Sequence, residues 1–234
     1  SGNATTSFIE SNPELFDFGT QGSQESHKVL TYLAEMIVNG PNHPGAIGPP
    51  PSKLSPVAPE IPMSADPNIT PAGWRNVLLE KGPEGWAAAV REHRESRGVL
   101  LTDTSMRDAH QSLIATRMRT HDMLKAAPAT AHILQNAGSL EMWGGATFDV
   151  ALRFLHECPW KRLELLREKI PNVPFQMLLR GANAVGYTTY ADNVVNEFVL
   201  EARRAGVDIF RVFDSLNDVD QLKFGMDAVR AADG

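Results

Sequence analysis

Gly98-Val99-Leu100-Leu101-Thr102-Asp103-Thr104-Ser105-Met106-Arg107-Asp108-Ala109-His110-Gln111-Ser112 is the stretch whose reading decides the fold. Its apolar opening, Val99 to Leu101, reads as a strand buried on both faces, as a parallel sheet requires. The run then breaks into hydroxyls, two carboxylates, an arginine, a histidine and a glutamine. A buried strand that ends in dense polarity is how α/β folds present chemistry, at the carboxyl ends of their strands. The competing reading is a capped, solvated loop that does no chemistry.

Downstream, strand and helix patterns alternate. A helix is expected from Thr120 to Asn136, then a second strand from Ser139 to Trp143 that ends in Gly144-Gly145. Helices follow over Phe148 to Glu157 and Pro159 to Lys169. A third strand, Pro174 to Leu179, runs into Arg180-Gly181-Ala182-Asn183. The helix Tyr190 to Ala205 closes on Gly206, a C-cap position. A fourth strand, Val207 to Phe213, ends in Asp214-Ser215-Leu216-Asn217, and a last helix covers Val219 to Ala232. Successive βα units of this kind build either a TIM-type (β/α) barrel or an open doubly wound sheet. No Gly-rich phosphate fingerprint follows the first strand, whereas polar sets close every strand, so the barrel is favoured. About four of the eight units that close such a barrel are present, which leaves strand four as an open edge.

Upstream, Gly73 to Lys81 and Pro83 to Glu95 read as two helices forming a lid or plug, with Trp74 and Trp86 as core anchors. Pro41 to Pro71 is a Pro-rich linker, poor in backbone donors. His27 to Val38 carries apolar residues at helical spacing and is stopped by Asn39-Gly40-Pro41. Phe8 to Phe18 reads as an extended segment turned at Asn12-Pro13. The expected divisions are 1–40, the linker 41–71, a helical lead-in 72–97 and the βα region 98–234.

Composition bounds the function. Apolar and charged fractions of 42% and 21% are those of a soluble globular protein. A net charge of −6 argues against a nucleic-acid partner, which needs a basic face. No apolar run approaches the roughly 20 residues that cross a bilayer, so no membrane partner is expected. The single cysteine, Cys158, cannot form an internal disulfide, which suits a reducing compartment. The chain opens Ser-Gly-Asn without methionine, as a processed or excised piece would.

Among single residues the chemistry stays open. Asp108 is able to ligate a divalent cation, act as a base or cap a helix. Arg107 and Arg180 are planar forks suited to carboxylates, or to ordinary salt bridges. Asp149 and Tyr187 are equally readable as ordinary helix and loop residues. A metal site needs three or four ligands, and no obvious set accompanies Asp108.

The wording settles more than the spacing. TDTSMRDAHQSLIATRMRTHD, EMWGGATFDVALRFLHECPWKRLELLREKIPNVPFQMLLRGANAVGYTTY and GVDIFRVFDSLND closely resemble the pyruvate carboxylase family of biotin-dependent carboxyltransferases. FIESNPELF and LTYLAEMIVNG resemble the segment before that family's carboxyltransferase barrel. The resemblance implies a metal-binding role for Asp108. It implies pyruvate contacts from Arg107, Asp108, Ala109, His110 and Gln111, and from Arg180 after strand three. Arg107, Asp149 and Tyr187 are implied as catalytic, the last two where the biotin ring is received. Ser105 and Met106 depart conservatively from the family's usual threonine and phenylalanine or leucine.

The implied activity is transfer of a carboxyl group from carboxybiotin to pyruvate, giving oxaloacetate. The implied cofactors are biotin on a carrier domain and a divalent metal (Mn, Zn or Mg), with ATP and bicarbonate used elsewhere in a longer enzyme. The implied partners are pyruvate, the carboxybiotin carrier domain, the remainder of the barrel and a homotetramer. Residues 1–40 would end a regulatory, tetramer-linked segment. The location would be the mitochondrial matrix in a eukaryote and the cytoplasm otherwise. The family's carbamylated lysine, His-x-His pair, proton-relaying threonine and biotinyl Met-Lys-Met have no counterpart here, so the segment alone is expected to be inactive. The alternatives are a related decarboxylase or transcarboxylase subunit, or a non-catalytic assembly piece.

Overall fold

A computed structural model of the chain describes Asn12 and residues 24–39, 58–63 and 65–234, with the side chains of 24–27, 36–39 and 221 excepted. The expected extended segment at Phe8 to Phe18, apart from Asn12, lies outside the described residues, as do 41–57 and 64 of the Pro-rich stretch. The chain divides into two units, 1–56 and 57–234. In the first, helix α1 spans Gln24–Asn39, three residues earlier than the spacing suggests, and exposes Val29, Leu30, Tyr32 and Leu33.

The second unit begins with helix α2, Trp74–Arg97, which is broken at Gly82 (φ 70°, ψ −179°) directly before Pro83. Glycine tolerates that backbone where other residues do not, so the two expected helices survive as two arms of one bent element. Their tryptophans are not core anchors. α2 has no buried residue, and Trp74 stands half-buried with its ring edge-on to His93 at 5.2 Å. The reason is position: the first turn of α2 is fastened to the segments that enter the strands. The Arg75 N–H donates to the Asn172 carbonyl (3.0 Å) and Arg75 Nε to the Asp208 carboxylate (3.1 Å).

Four parallel strands follow in sequential order: β1 (Thr102–Asp103), β2 (Ser139–Trp143), β3 (Phe175–Leu179) and β4 (Ile209–Val212). The order runs without the reversal that marks a doubly wound sheet. The first strand is displaced from its expected place. Val99 and Leu101 are 74% and 72% exposed, and pairing starts only at Thr102↔Ser139. β1 is an edge, so Val99 and Leu101 are left exposed while Leu100 alone is half-buried, beside Gly138.

A π-helical turn (Ser105–Ala109) and helix α3 (His110–Ile114) follow β1, then α4 (Thr120–Ile133) leads to β2. After β2 come α5 (Thr147–Val150), a π-helical turn (Ala151–Leu155) and α6 (Pro159–Lys169). After β3 come a 3₁₀ turn (Gly181–Asn183) and α7 (Asp192–Ala205); after β4 comes α8 (Val219–Ala231). On β3, Phe175, Met177 and Leu179 are fully buried in one core with Leu163 and Leu166 of α6 and Val195 and Val199 of α7. Trp143 closes β2 inside this core, with ring centroids of Phe148 and Trp160 at 4.9 and 5.0 Å in edge-on geometry. Such pairs add about 0.5–1.5 kcal/mol each beyond area burial. No described helix is long and apolar enough to cross a membrane.

Candidate active site

Parallel strands side by side point their carboxyl ends the same way, so the loops after β1, β2, β3 and β4 share one edge of the sheet. Asp108, Asp149 and Arg180 each follow one of these ends. The π-helical turn after β1 folds Arg107 back over the sheet, where its side chain is 7% exposed. Arg107 Nε donates to Glu141 Oε2 at 2.7 Å, Nη2 donates to the same oxygen, and Nη1 donates to Asp108 Oδ1 at 2.6 Å. The Asp108 side chain is 52% exposed. Ala109 is half-buried and His110 buried, with its Nε2 2.8 Å from the Met106 carbonyl. Burial lowers the His110 imidazole below its ordinary value, against the opposing hydrogen bond to Met106.

Two glycines make room for this arrangement. Gly144 (φ 152°) leaves only 2.7 Å between an added Cβ and Leu178 Cβ, and 3.5 Å to Arg107 Cδ. A Cβ on Gly145 (φ 49°) would meet the Gln111 amide oxygen at 2.2 Å. Gln111 is thereby laid against the loop after β2, with its Oε1 buried and without a hydrogen-bond partner. After β3, Arg180 Nη1 donates to the Gly186 carbonyl at 3.1 Å, and its guanidinium lies 5.5 Å from the ring centroid of Tyr187, itself 64% exposed. Asp149 pairs with Arg153 one turn on, at 3.0 Å, rather than with the other candidates. The structure therefore joins Arg107 to Asp108, Gln111 to Gly145 and Arg180 to Tyr187.

The sequence reading missed Glu141. It sits in the middle of β2 with a fully buried carboxylate, bound by Arg107, by Arg211 Nη2 of β4 at 2.6 Å and by Gln176 Nε2 of β3 at 3.3 Å. The available signal was a charge inside each of two apolar strands, SLEMW and IFRV. Burial alone pushes the Glu141 carboxyl up, but hydrogen bonds from Arg211 and Arg107 outweigh it and its pKa lies below the usual carboxylate value. Glu157, bound by Thr120 and Arg162, is lowered against burial in the same way. A carboxyl with a depressed folded pKa contributes stability that is complete above its unfolded value of about 4.3 and is lost as pH falls through the folded value. Thermal midpoints measured on acidification should therefore fall, and Glu141→Gln should flatten that slope. Parallel slopes for the two proteins would contradict the assignment.

Consecutive parallel strands with these loops at their carboxyl ends form an α/β sheet, and its match among solved structures is a carboxyltransferase domain. The carboxyltransferase domain of Rhizobium etli pyruvate carboxylase, solved with pyruvate, superimposes with a TM-score of 0.71 and 50% identity over 88% of this chain and 33% of that domain. The same domain solved with oxamate and biotin matches equally well. The sequence relatives are pyruvate carboxylases: the mitochondrial enzymes of rat and human are each 54% identical, over 98% and 100% of this chain. That of Komagataella pastoris is 51% identical over 98%. This chain is thus homologous along its length to pyruvate carboxylase, and it spans about a fifth of the length of these relatives (19%). No family model matches the chain.

Proposed function

We propose that the βα region is the first half of a TIM-type barrel that carboxylates pyruvate with the carboxyl group carried by biotin. The observation that carries this reading is the 50% identity with a domain solved with pyruvate, in a chain whose candidate residues follow the carboxyl ends of adjacent strands. The decarboxylase and transcarboxylase alternatives are not favoured, since these relatives are pyruvate carboxylases.

In the proposed reaction, Arg180 and Gln111 would hold pyruvate while carboxybiotin supplies CO2 as its N–carboxyl bond breaks; the pyruvate methyl proton would pass to the ureido nitrogen so freed, and the enolate carbon would bond the CO2, giving oxaloacetate. Preorganised positive charge facing the developing enolate oxygen is the physical core of such a step. Arg107, Ala109 and His110 shape the pyruvate side of the loop, with Arg107 already engaged by two carboxylates. Tyr187 offers an exposed ring braced from below by Arg180, a surface suited to a planar ureido group, and Asp149 stands at the neighbouring strand end. Asp108 supplies one carboxylate toward a divalent ion, yet no group of three His, Cys, Asp or Glu side chains able to hold one occurs among the described residues. These residues alone do not make a metal centre, and no step is assigned through one. On this reading ATP, bicarbonate, the carrier domain, the rest of the barrel and the tetramer belong to a longer enzyme; the rat and human relatives are named as mitochondrial.

Arg180→Gln in a full-length enzyme carrying this segment tests the reading. Removing the charged fork should cut kcat/KM for pyruvate at least about a hundredfold, as loss of a charged partner to a buried carboxylate does. An unchanged kcat/KM would refute the assignment.

A further inference from the structure

Gln111 stands in α3, after β1, but the surface that seats its amide belongs to the turn after β2. That surface is Gly145, a buried glycine in the left-handed region (φ 49°). A Cβ built there would meet Gln111 Nε2 at 2.6 Å and Cδ at 2.8 Å, with Oε1 nearer still, closer than real Cβ atoms come to any neighbour. The amide therefore lies across the glycine, in space that any other residue would fill. Its Oε1 is buried without a hydrogen-bond partner, and its Nε2 bonds no protein atom among the described residues. The donor end of this amide is unspent.

Gly145 has no room to retreat. Buried Thr147 fastens its turn: Oγ1 accepts from the Gly144 N–H at 3.2 Å and donates to the Gly144 carbonyl at 2.7 Å. The Thr147 N–H donates to the same carbonyl at 2.9 Å. On the other side Trp143 is fully buried, and a Cβ on Gly144 would stand 2.7 Å from Leu178 Cβ, so the turn is already pressed onto β3. Gln111 is the movable partner, because its amide is the far end of a flexible side chain held by no hydrogen bond. A methyl group at position 145 is thus accommodated by displacing Gln111, with the ordinary strain of a left-handed residue that is not glycine.

We propose that Gly145 is a positioning residue of this site: bare of a side chain, on a turn locked by Thr147, it seats the Gln111 amide to donate to an oxygen of pyruvate. Gly145 touches no substrate and acts only through Gln111. The inference deepens the pyruvate-carboxylating reading and rests on it for its kinetic consequence, but not for the seating itself.

The seating is tested on this chain by NMR, where the Gln111 side-chain amide protons should give Overhauser contacts to the Gly145 α-protons. Absence of these contacts overturns the proposal. In a full-length enzyme carrying this segment, Gly145→Ala should raise KM for pyruvate about tenfold, the scale of one hydrogen bond to a charged group, and leave kcat nearly unchanged. Gly82→Ala is the control for strain, since Gly82 is also left-handed (φ 70°) but has nothing within 4 Å of an added Cβ; its KM should be that of the unsubstituted enzyme. In a Gln111→Ala background, Gly145→Ala should add nothing, as residues acting through one contact are not additive. Additive effects, or an equal rise of KM in Gly82→Ala, overturn the proposal. If Gln111→Ala raises KM while Gly145→Ala leaves it unchanged, the positioning role falls and the functional reading stands. If Gln111→Ala and Arg180→Gln both leave pyruvate kinetics unchanged, both fall. Should Gly145→Ala not fold, Thr147→Val decides: loosening the turn should raise KM in the same Gln111-dependent way, and an unchanged KM overturns the proposal.

Discussion

Asp108→Ala, made in a full-length enzyme carrying this segment, is expected to abolish oxaloacetate formation while leaving the fold and, on the proposed reading, the bicarbonate-dependent cleavage of ATP intact. The argument begins with exposure. Asp108 is 52% exposed, and its one recorded partner is an arginine that retains two bonds to Glu141 when Asp108 is gone. Its removal therefore costs little stability, as for other ion pairs open to solvent. Activity should fall by about a thousandfold or more, because residues that act as a unit fail together. On the proposed reading ATP cleavage belongs to another domain of the longer enzyme, so it should be spared. A variant with normal thermal stability and normal oxaloacetate formation would remove Asp108 from the site.

Asp208→Ala has the largest expected effect on stability. Asp208 precedes β4 at the opposite, amino-terminal edge of the sheet, with its side chain fully buried. It accepts from Arg167 Nη2 (2.6 Å), Arg75 Nε (3.1 Å) and the Phe175 N–H (2.9 Å), tying α6, α2 and β3 together. Burial lowers the Arg167 guanidinium, and the Asp208 charge is the main force opposing that. Arg167 also lies 3.5 Å above the Phe175 ring and donates to the carbonyls of Ile170, Val173 and Gly206, so it cannot swing out to water without undoing all of these. Removing one partner of a buried pair and stranding the other costs roughly 3–5 kcal/mol. For a unit of this size that lowers the thermal midpoint by roughly 10 °C. A shift within a degree or two would show that Arg167 finds its compensation elsewhere.

The contrast between these two aspartates explains what the sequence could disclose. Asp108 lies in a dense polar run directly after a strand, where local pattern and chemistry coincide. Ser139–Trp143 and Pro159–Lys169 were legible to the residue because short apolar runs bounded by glycine or opened by proline leave little freedom. Val99 to Leu101 misled because apolarity predicts burial only where a neighbour exists, and β1 pairs on one side alone. Trp74 and Trp86 misled for the same reason on α2. Asp208 and Glu141 were invisible as partners of anything. Glu141 meets Arg211 across 70 positions and Asp208 meets Arg75 across 133, and no local period encodes such pairings. The residues at the edge were legible; the buried charges that pair beneath it required the fold.

Transplanting residues 98–234 into the matching part of the Rhizobium etli carboxyltransferase domain, which has been solved with pyruvate, tests the central claim most directly. The measurement is pyruvate binding by calorimetry to the folded chimera and to its Arg180→Gln variant. The account predicts that the chimera binds pyruvate as the unmodified domain does and that Arg180→Gln loses that binding. A folded chimera that does not bind pyruvate, or one whose binding is indifferent to Arg180, would contradict it.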